Sequence, residues 1–147
     1  MDLGLKGRVA LVMASSRGLG QAMAVSLARE GVKVAVTGRN AEGLKKSVEL
    51  IEAAGGKALA LSWDLSDSSV IDALVTKVEQ ELGPIDILIN NVGRSEPGGP
   101  VEMSEDVWDS QISVNLKSVF LTCKYVLPTM IANKSGAIVN VASTSGV

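Results

Sequence analysis

Apolar residues cluster in five short runs along the chain, separated by longer stretches with helical spacing. The runs are rich in Val, Ile, Leu and Ala, which is typical of strands buried on both faces of a sheet. They are Arg8–Met13, Val32–Thr37, Lys57–Leu61, Ile85–Asn90 and Ala137–Val141. The helical stretches are Leu19–Glu30, Ala41–Ala54, Ser66–Leu82, and a long one from Ser104 to about Asn133. This alternation predicts parallel βαβ units with right-handed crossovers.

Breaking and capping residues support these limits. Gly31 stops the first helical stretch, and Gly83 followed by a proline stops the third. Ser66 or Asp67 is expected to cap the third helix, and Ser104 is expected to cap the fourth. The chain shows no internal repeat and no linker, so residues 1–147 are expected to form a single domain.

Composition and charge exclude several classes of function. With 14 basic and 16 acidic residues among 147, the chain has a net charge of −2, so an electrostatic nucleic-acid-binding surface is not expected. One cysteine and no histidine argue against a disulfide framework and against a Cys/His metal site. Cys123 lies in an apolar helical pattern and is expected to be a core thiol. No signal segment or membrane span is visible, so a cytoplasmic location and no membrane partner are expected.

Polar clusters follow each predicted strand, where open parallel sheets bind their ligands. After the first strand a loop with two glycines opens a helix, which suits a phosphate group. The clusters are Ala14–Gly20, Gly38–Asn40, Trp63–Leu65, Asn90–Gly93 and Ala142–Gly146. Taken one at a time, each cluster has an ordinary explanation. Arg17 and Arg39 would be solvated surface residues, Asp64 would be a helix-entry residue, and Ser143 would be a loop hydroxyl. Their joint appearance at successive strand ends favours a common site.

In these motifs the sequence resembles the short-chain dehydrogenase/reductase family, and the resemblance extends from Leu3 to Val147. The family pattern Thr-Gly-x-x-x-Gly-x-Gly corresponds to Met13–Gly20, with Met13 and Ala14 in place of the Thr and the first Gly. The pattern Asn-Asn-Ala-Gly corresponds to Asn90–Gly93, with valine for alanine. Three further family features are present. Asp64-Leu65 matches the acid and aliphatic residue after strand three, Asn115 matches the Asn of the fifth helix, and Ser143 matches the Ser after strand five.

The resemblance implies a Rossmann-type doubly wound α/β sheet of strand order 3-2-1-4-5 in three layers. It also implies cofactor-binding roles for Ala14, Ser15, Ser16, Arg17, Gly18, Leu19, Gly20, Arg39, Asp64, Leu65, Asn91, Val92 and Gly93. The loop from Ser15 to Gly20 would hold a pyrophosphate, and Asp64 would accept a hydrogen bond from the adenine amino group. Ser143 would donate a hydrogen bond to the substrate carbonyl oxygen, and Asn115 would anchor a water-linked proton relay.

The implied cofactor is NADP(H). NAD-selective members carry an acid at the end of strand two, where this chain has Gly38 followed by Arg39. Arg17 adds a second guanidinium in the phosphate loop, and two such groups suit a 2′-phosphate. The expected reaction is hydride transfer to or from a carbonyl or secondary alcohol, with a 3-oxoacyl thioester as the substrate class most common for this general type. Substrate identity and stereochemistry do not follow from the sequence.

The family also uses a Tyr-x-x-x-Lys pair after its fifth strand, and this chain has none. Its only tyrosine is Tyr125, with Thr129 four residues on. We therefore expect the N-terminal part of a dehydrogenase, without the catalytic helix and last strands, and inactive by itself. The alternative is a non-catalytic nucleotide-binding or interaction module. The helix from Ser104 to about Asn133 is apolar all round, which predicts a homo-oligomer for the parent enzyme.

Overall fold

The computed structural model describes residues 1–146, which form one five-stranded parallel sheet between two layers of helices. The strands are β1 (Val9–Val12), β2 (Lys33–Gly38), β3 (Lys57–Ser62), β4 (Ile87–Asn90) and β5 (Ala137–Asn140). The helices are α1 (Gly18–Arg29), α2 (Ala41–Ala53), α3 (Ile71–Leu82), α4 (Glu105–Ile112) and α5 (Ser118–Asn133). The strand order β3-β2-β1-β4-β5 confirms the predicted doubly wound α/β fold.

The core lies on both faces of the sheet, because the strand side chains alternate between them. Ala10 and Val12 of β1 pack with α1 and α2 on one face. Leu11 packs with α3 and α5 on the other, where Val78 and Val126 are fully buried. All four residues of β1 are buried, as the central position of this strand requires.

The register of the strands brings their carboxyl ends to one edge of the sheet. Val12 of β1 lies beside Val36 of β2 and Ile89 of β4. Asn90 of β4 lies beside Asn140 of β5. The loops that follow the strands therefore meet along this edge, which we call the carboxyl edge.

Helix α3 begins five residues later than the sequence pattern predicts. Asp64 accepts a hydrogen bond from the Ser66 N–H, and Asp67 accepts one from the Ser69 N–H, so two successive aspartate turns occupy the segment. Such local bonds compete with helical ones. Val70 then precedes the helix without a side-chain cap, and neither Ser66 nor Asp67 caps it.

The long fourth helical stretch is interrupted by a π-helical segment, Ser113–Lys117, between α4 and α5. The Ser118 N–H donates to the Ser113 carbonyl, five residues back. Ser104 caps α4 as predicted, accepting a hydrogen bond from the Val107 N–H at 3.3 Å. Across residues 1–146, no helix combines the length and apolarity that a membrane crossing requires.

Candidate functional site

The loop between β1 and α1 is tied to the end of β2 by three hydrogen bonds, and a fourth joins it back to β1. The Ala14 N–H donates to Thr37 Oγ1 at 2.9 Å, and the Ser15 N–H donates to the Thr37 carbonyl at 2.8 Å. The Ser15 hydroxyl accepts from the Thr37 N–H and donates to the Val12 carbonyl. Ser15 is therefore buried, with its hydroxyl turned inward, and its backbone N–H helps to hold the loop to β2.

Ala14 adopts the left-handed conformation, with φ of +55°. The loop thus keeps the turn that the family pattern assigns to glycine, although alanine pays about 1–2 kcal/mol for it. Gly18 also has positive φ, at +57°, and no atom lies within 4 Å of where its Cβ would be. The backbone there is open to a ligand.

The first turn of α1 presents free N–H groups. Within residues 1–146, the backbone N–H groups of positions 16–20 donate to no protein acceptor. Arg17 at the N-cap makes no side-chain capping bond, and the first turn carries no acid. A helix start of this kind attracts phosphate through its N–H groups and its dipole.

Gly20 allows three chain segments to meet behind this loop. A Cβ at position 20 would lie 2.1 Å from the Ala14 carbonyl oxygen and 2.8 Å from Asn91 Nδ2. Asn91 Nδ2 donates to that same Ala14 oxygen at 3.1 Å. The loops after β1 and β4 are thereby joined through the space that glycine leaves.

A cleft of about 1010 Å³ runs along the carboxyl edge, at the upper end of the size range of small-molecule sites. We call it the edge cleft. Ten residues of the polar loops at four strand ends line it: Ala14, Ser16, Arg17, Gly18, Leu19, Gly38, Arg39, Leu65, Asn91 and Gly93. The shape, the free N–H groups and the two guanidinium groups suit a dinucleotide.

Asp64 pairs with Arg39 at this cleft. Arg39 Nη1 lies 3.7 Å from Asp64 Oδ2, and both side chains are exposed. The Ser66 N–H and then the Ser66 hydroxyl, bonded to Asp64 Oδ1 at 2.9 and 2.8 Å, lower the pKa of Asp64, and the charges of Arg39 and Arg94 add to this. Asp64 is therefore a fixed carboxylate, and its pair with Arg39 orients the guanidinium beside the cleft.

Asn115 lies in the π-helical segment and clamps the loop after β4. Its Oδ1 accepts from the Arg94 N–H at 2.9 Å, and its Nδ2 donates to the Arg94 carbonyl at 2.8 Å. The same loop places Gly93 on the cleft, whereas Val92 is buried in the core. An asparagine with poor helix propensity thus sits where the helix departs from α geometry.

Ser143 follows β5 at the carboxyl edge. The Val141 N–H donates to the Asn90 carbonyl, which continues the β4–β5 pairing to this point. The Ser143 side chain is exposed, and its Oγ accepts from the Ser145 N–H at 3.2 Å. Among residues 1–146 the Ser143 hydroxyl donates to no acceptor, so its proton can serve a bound ligand.

A partly buried hydrogen-bond network at the carboxyl ends of β4 and β5 was not anticipated from the sequence. The Asn90 side chain accepts from Thr122 Oγ1 at 2.6 Å and donates to Asn140 Oδ1 at 2.9 Å. It joins β4, α5 and β5 below the site. The sequence signal for this network was an asparagine at the end of each of two apolar strands. That Asn90 and Asn140 lie side by side follows only from the strand register. No group of three or more possible metal-ligating side chains occurs in the described part of the chain.

Comparison with known proteins gives the same family. The family model for short chain dehydrogenases matches residues 8–147. The chain is 37% identical over 142 residues to 2,3-dihydro-2,3-dihydroxybenzoate dehydrogenase of Bacillus subtilis, covering 97% of this chain and 54% of that protein. It is 37% identical over 143 residues to the 3-oxoacyl-[acyl-carrier-protein] reductase FabG of Thermotoga maritima, covering 97% and 58%.

A solved metagenomic short-chain oxidoreductase in complex with NADP is also similar. The TM-score is 0.91 at 42% identity, covering 97% of this chain and 65% of that one. The chain spans about half the length of the curated relatives it matches. The chain belongs to the short chain dehydrogenase family.

Proposed function

We propose that the protein is an NADP(H)-dependent oxidoreductase that interconverts a carbonyl and a secondary alcohol. The observation that carries the proposal is the row of free N–H groups at residues 16–20, which opens on a cleft that Arg17 and Arg39 also line. Backbone donors suit the pyrophosphate, and guanidinium groups suit a 2′-phosphate. The NADP-bound relative described above supports the same cofactor.

Each part of the cofactor has matching residues. The loop from Ala14 to Gly20 holds the pyrophosphate, with Leu19 exposed at its rim. Arg39, which pairs with Asp64 in this structure, would bind the 2′-phosphate. Asp64 would accept a hydrogen bond from the adenine amino group, with the Leu65 backbone N–H nearby. Asn91 and Gly93 shape the nicotinamide side. When bound, NADP(H) supplies or accepts the hydride.

The chain's own catalytic contribution comes from Ser143 and Asn115. The Ser143 hydroxyl donates to the substrate oxygen as that oxygen gains negative charge. Asn115 holds the Arg94 backbone, so that the loop carrying Gly93 keeps its shape. In the proposed reaction it would also help to anchor a water-linked proton relay. A 3-oxoacyl thioester is the first substrate class to assay, because a reductase of that class is among the relatives.

Removing Arg39 tests the cofactor assignment. Arg39→Ala is expected to weaken NADPH binding roughly tenfold or more, since a charged hydrogen bond contributes about 1.5–3 kcal/mol. NADH, which lacks the 2′-phosphate, should bind nearly as before. Arg29→Ala is the matched control, because it removes a guanidinium at the opposite end of α1. Equal weakening of both nucleotides in fluorescence titrations would contradict the assignment.

We further propose that these 147 residues alone bind cofactor without turning over substrate, and that the reaction described above is that of the parent enzyme. Tyr125, the single tyrosine of the sequence, packs against the core from α5, and Thr129 rather than a lysine stands four residues on, so these 147 residues hold no Tyr-x-x-x-Lys proton donor. General acid catalysis is typically worth about 10²–10⁴-fold. NADPH binding without ketone reduction is expected in calorimetry and absorbance assays of this chain. Turnover at a normal family rate would contradict it.

The assembly is also proposed to be a homo-oligomer. Large apolar side chains recur along the outer face of α4, the π-helical segment and α5, where they stay exposed: Trp108, Ile112, Leu116, Phe120, Leu127 and Ile131. Within one chain only the inner face of this stretch is covered, through Val114, Val126 and Met130, which leaves the outer face for a second subunit. Phe120→Glu is expected to shift sedimentation of the enzyme toward monomer. A wild-type monomer at micromolar concentration would contradict the assembly.

A further inference from the structure

Two side chains outside the loop after β1 fix the direction of its peptide groups. Ser47, on α2, is fully buried, and its hydroxyl donates to the Ser15 carbonyl at 2.7 Å. Gln21, on α1, donates from Nε2 to Ser47 Oγ at 2.9 Å and to the Ser16 carbonyl at 3.3 Å. We call this set of three hydrogen bonds the loop brace.

The brace orients the donors that face the cleft. In a trans peptide the carbonyl and the following N–H point in opposite directions, and no peptide bond of the described chain is cis. Holding the carbonyls of Ser15 and Ser16 toward α1 and α2 therefore turns the N–H groups of Ser16 and Arg17 the other way. These are two of the N–H groups that donate to no protein acceptor.

Close packing leaves no room for another arrangement. A Cβ at Gly43 would lie 2.7 Å from the Ser16 carbonyl oxygen, and one at Gly38 would lie 2.8 Å from Ser16 Cβ. Ser16 is thus packed closely against α2 and the end of β2, where Gly38 and Gly43 also line the edge cleft. The brace and these contacts hold a loop in which Ala14 already occupies a strained backbone conformation.

We infer that Gln21 and Ser47 are positioning residues for cofactor binding, and that they act by aiming the Ser16 and Arg17 N–H groups at the dinucleotide pyrophosphate. The inference rests on the proposed function, because it takes the loop as the pyrophosphate site. Neither side chain contacts the cofactor. The Ser47 hydroxyl donates to the Ser15 carbonyl and accepts from Gln21 Nε2, so losing either side chain breaks the same chain of hydrogen bonds.

The test uses Ser47→Ala, Gln21→Met and the double variant, with Ser26→Ala on the exposed side of α1 as control. Each single variant is expected to raise the Kd of NADPH about threefold to tenfold, the range for one or two lost neutral hydrogen bonds. The Kd of NADH should rise by the same factor, since both nucleotides share the pyrophosphate. The double variant should lose less than the product of the single factors, because the two side chains share one bond.

The possible outcomes of these titrations distinguish a failure of the inference about Gln21 and Ser47 from a failure of the proposed function. Wild-type Kd values in Gln21→Met, with only the Tm lowered, would show that the brace is structural and would overturn the inference while the proposed function stands. Loss of NADPH binding alone would also overturn it, since that points to the 2′-phosphate. A wild-type protein that binds neither nucleotide would overturn the proposed function and the inference together. If Ser47→Ala fails to fold, Gln21→Met, at a half-buried position, still decides the question.

Discussion

Adding one methyl group at Gly20 tests how tightly the loop after β1 is built. In Gly20→Ala the new Cβ would lie 2.1 Å from the Ala14 carbonyl oxygen, a backbone atom, and 2.8 Å from Asn91 Nδ2. The carbonyl cannot move without disturbing the bonds from Ala14 and its neighbour to β2. The loop or the start of α1 must therefore shift, and the bond from Asn91 to Ala14 is lost.

The expected cost follows from three effects. Overpacking a tight site costs about 1–3 kcal/mol. The lost hydrogen bond from Asn91 adds about 0.5–1.5 kcal/mol. Alanine in place of glycine in a helix recovers up to about 1 kcal/mol. The net loss of about 0.5–4.5 kcal/mol corresponds, at about 2–4 °C per kcal/mol, to a fall in Tm of about 1–18 °C for a domain of this size.

Thermal unfolding and nucleotide titration measure the two consequences. We expect Gly20→Ala to lower the Tm and to weaken NADPH and NADH alike, because the displaced N–H groups serve the shared pyrophosphate. Gly99→Ala is the matched control, since its Cβ would meet only the flexible end of Glu102 and the expected Tm change is small. A Gly20→Ala protein with the Tm and Kd values of the wild type would refute the reasoning.

Three further predictions concern single residues. Hydrogen bonds from the Ser66 N–H and then from its hydroxyl lower the pKa of Asp64 below the ordinary value of 3.8. Ser66→Ala removes only the hydroxyl bond, so it should raise the pKa of Asp64 part of the way back in an NMR titration, and the contribution of ionised Asp64 to stability should be lost at a higher pH on acidification. An unchanged midpoint would contradict this. Lys134 ends α5 at φ of +51°, so Lys134→Gly should raise the free energy of unfolding by about 0.5–1 kcal/mol, and a decrease in denaturant melts would count against it. Asn115→Ala should speed hydrogen exchange at the Arg94 amide, and unchanged protection would show that another group holds this loop.

The fold follows closely from the sequence, because buried parallel strands give continuous apolar runs that glycines interrupt. The runs that end at Thr37 and Asn90 appear in the structure with limits shifted by one or two residues. The start of α3 could not be found this way. Ser66 and Asp67 are good capping residues, but Asp64 and Asp67 use their carboxylates for local turns instead.

The candidate site was predictable where its residues form a local motif, and not where they act across the fold. Gly18 and Gly20 stand together in the sequence and signal a phosphate loop. Ser47 and Gln21 are ordinary helix residues in the sequence, and only the packing of α1 against α2 brings them to the same loop. Asn115 is an intermediate case. Its poor helix propensity signals a local irregularity in the helix, but its hydrogen bonds to the Arg94 backbone do not follow from the sequence spacing.

The π-helical segment sets the angular relation between α4 and α5. Each residue of a helix turns the chain by about 100°, so deleting one residue between Ser113 and Lys117 would let the stretch close into a regular α-helix. Val114 could then keep its place in the core only if Phe120 and Ile131 rotated away from the face they share with Trp108. Related chains of different length should therefore absorb insertions and deletions in the flanking loops, and leave the number of residues from Ser104 to Asn133 unchanged.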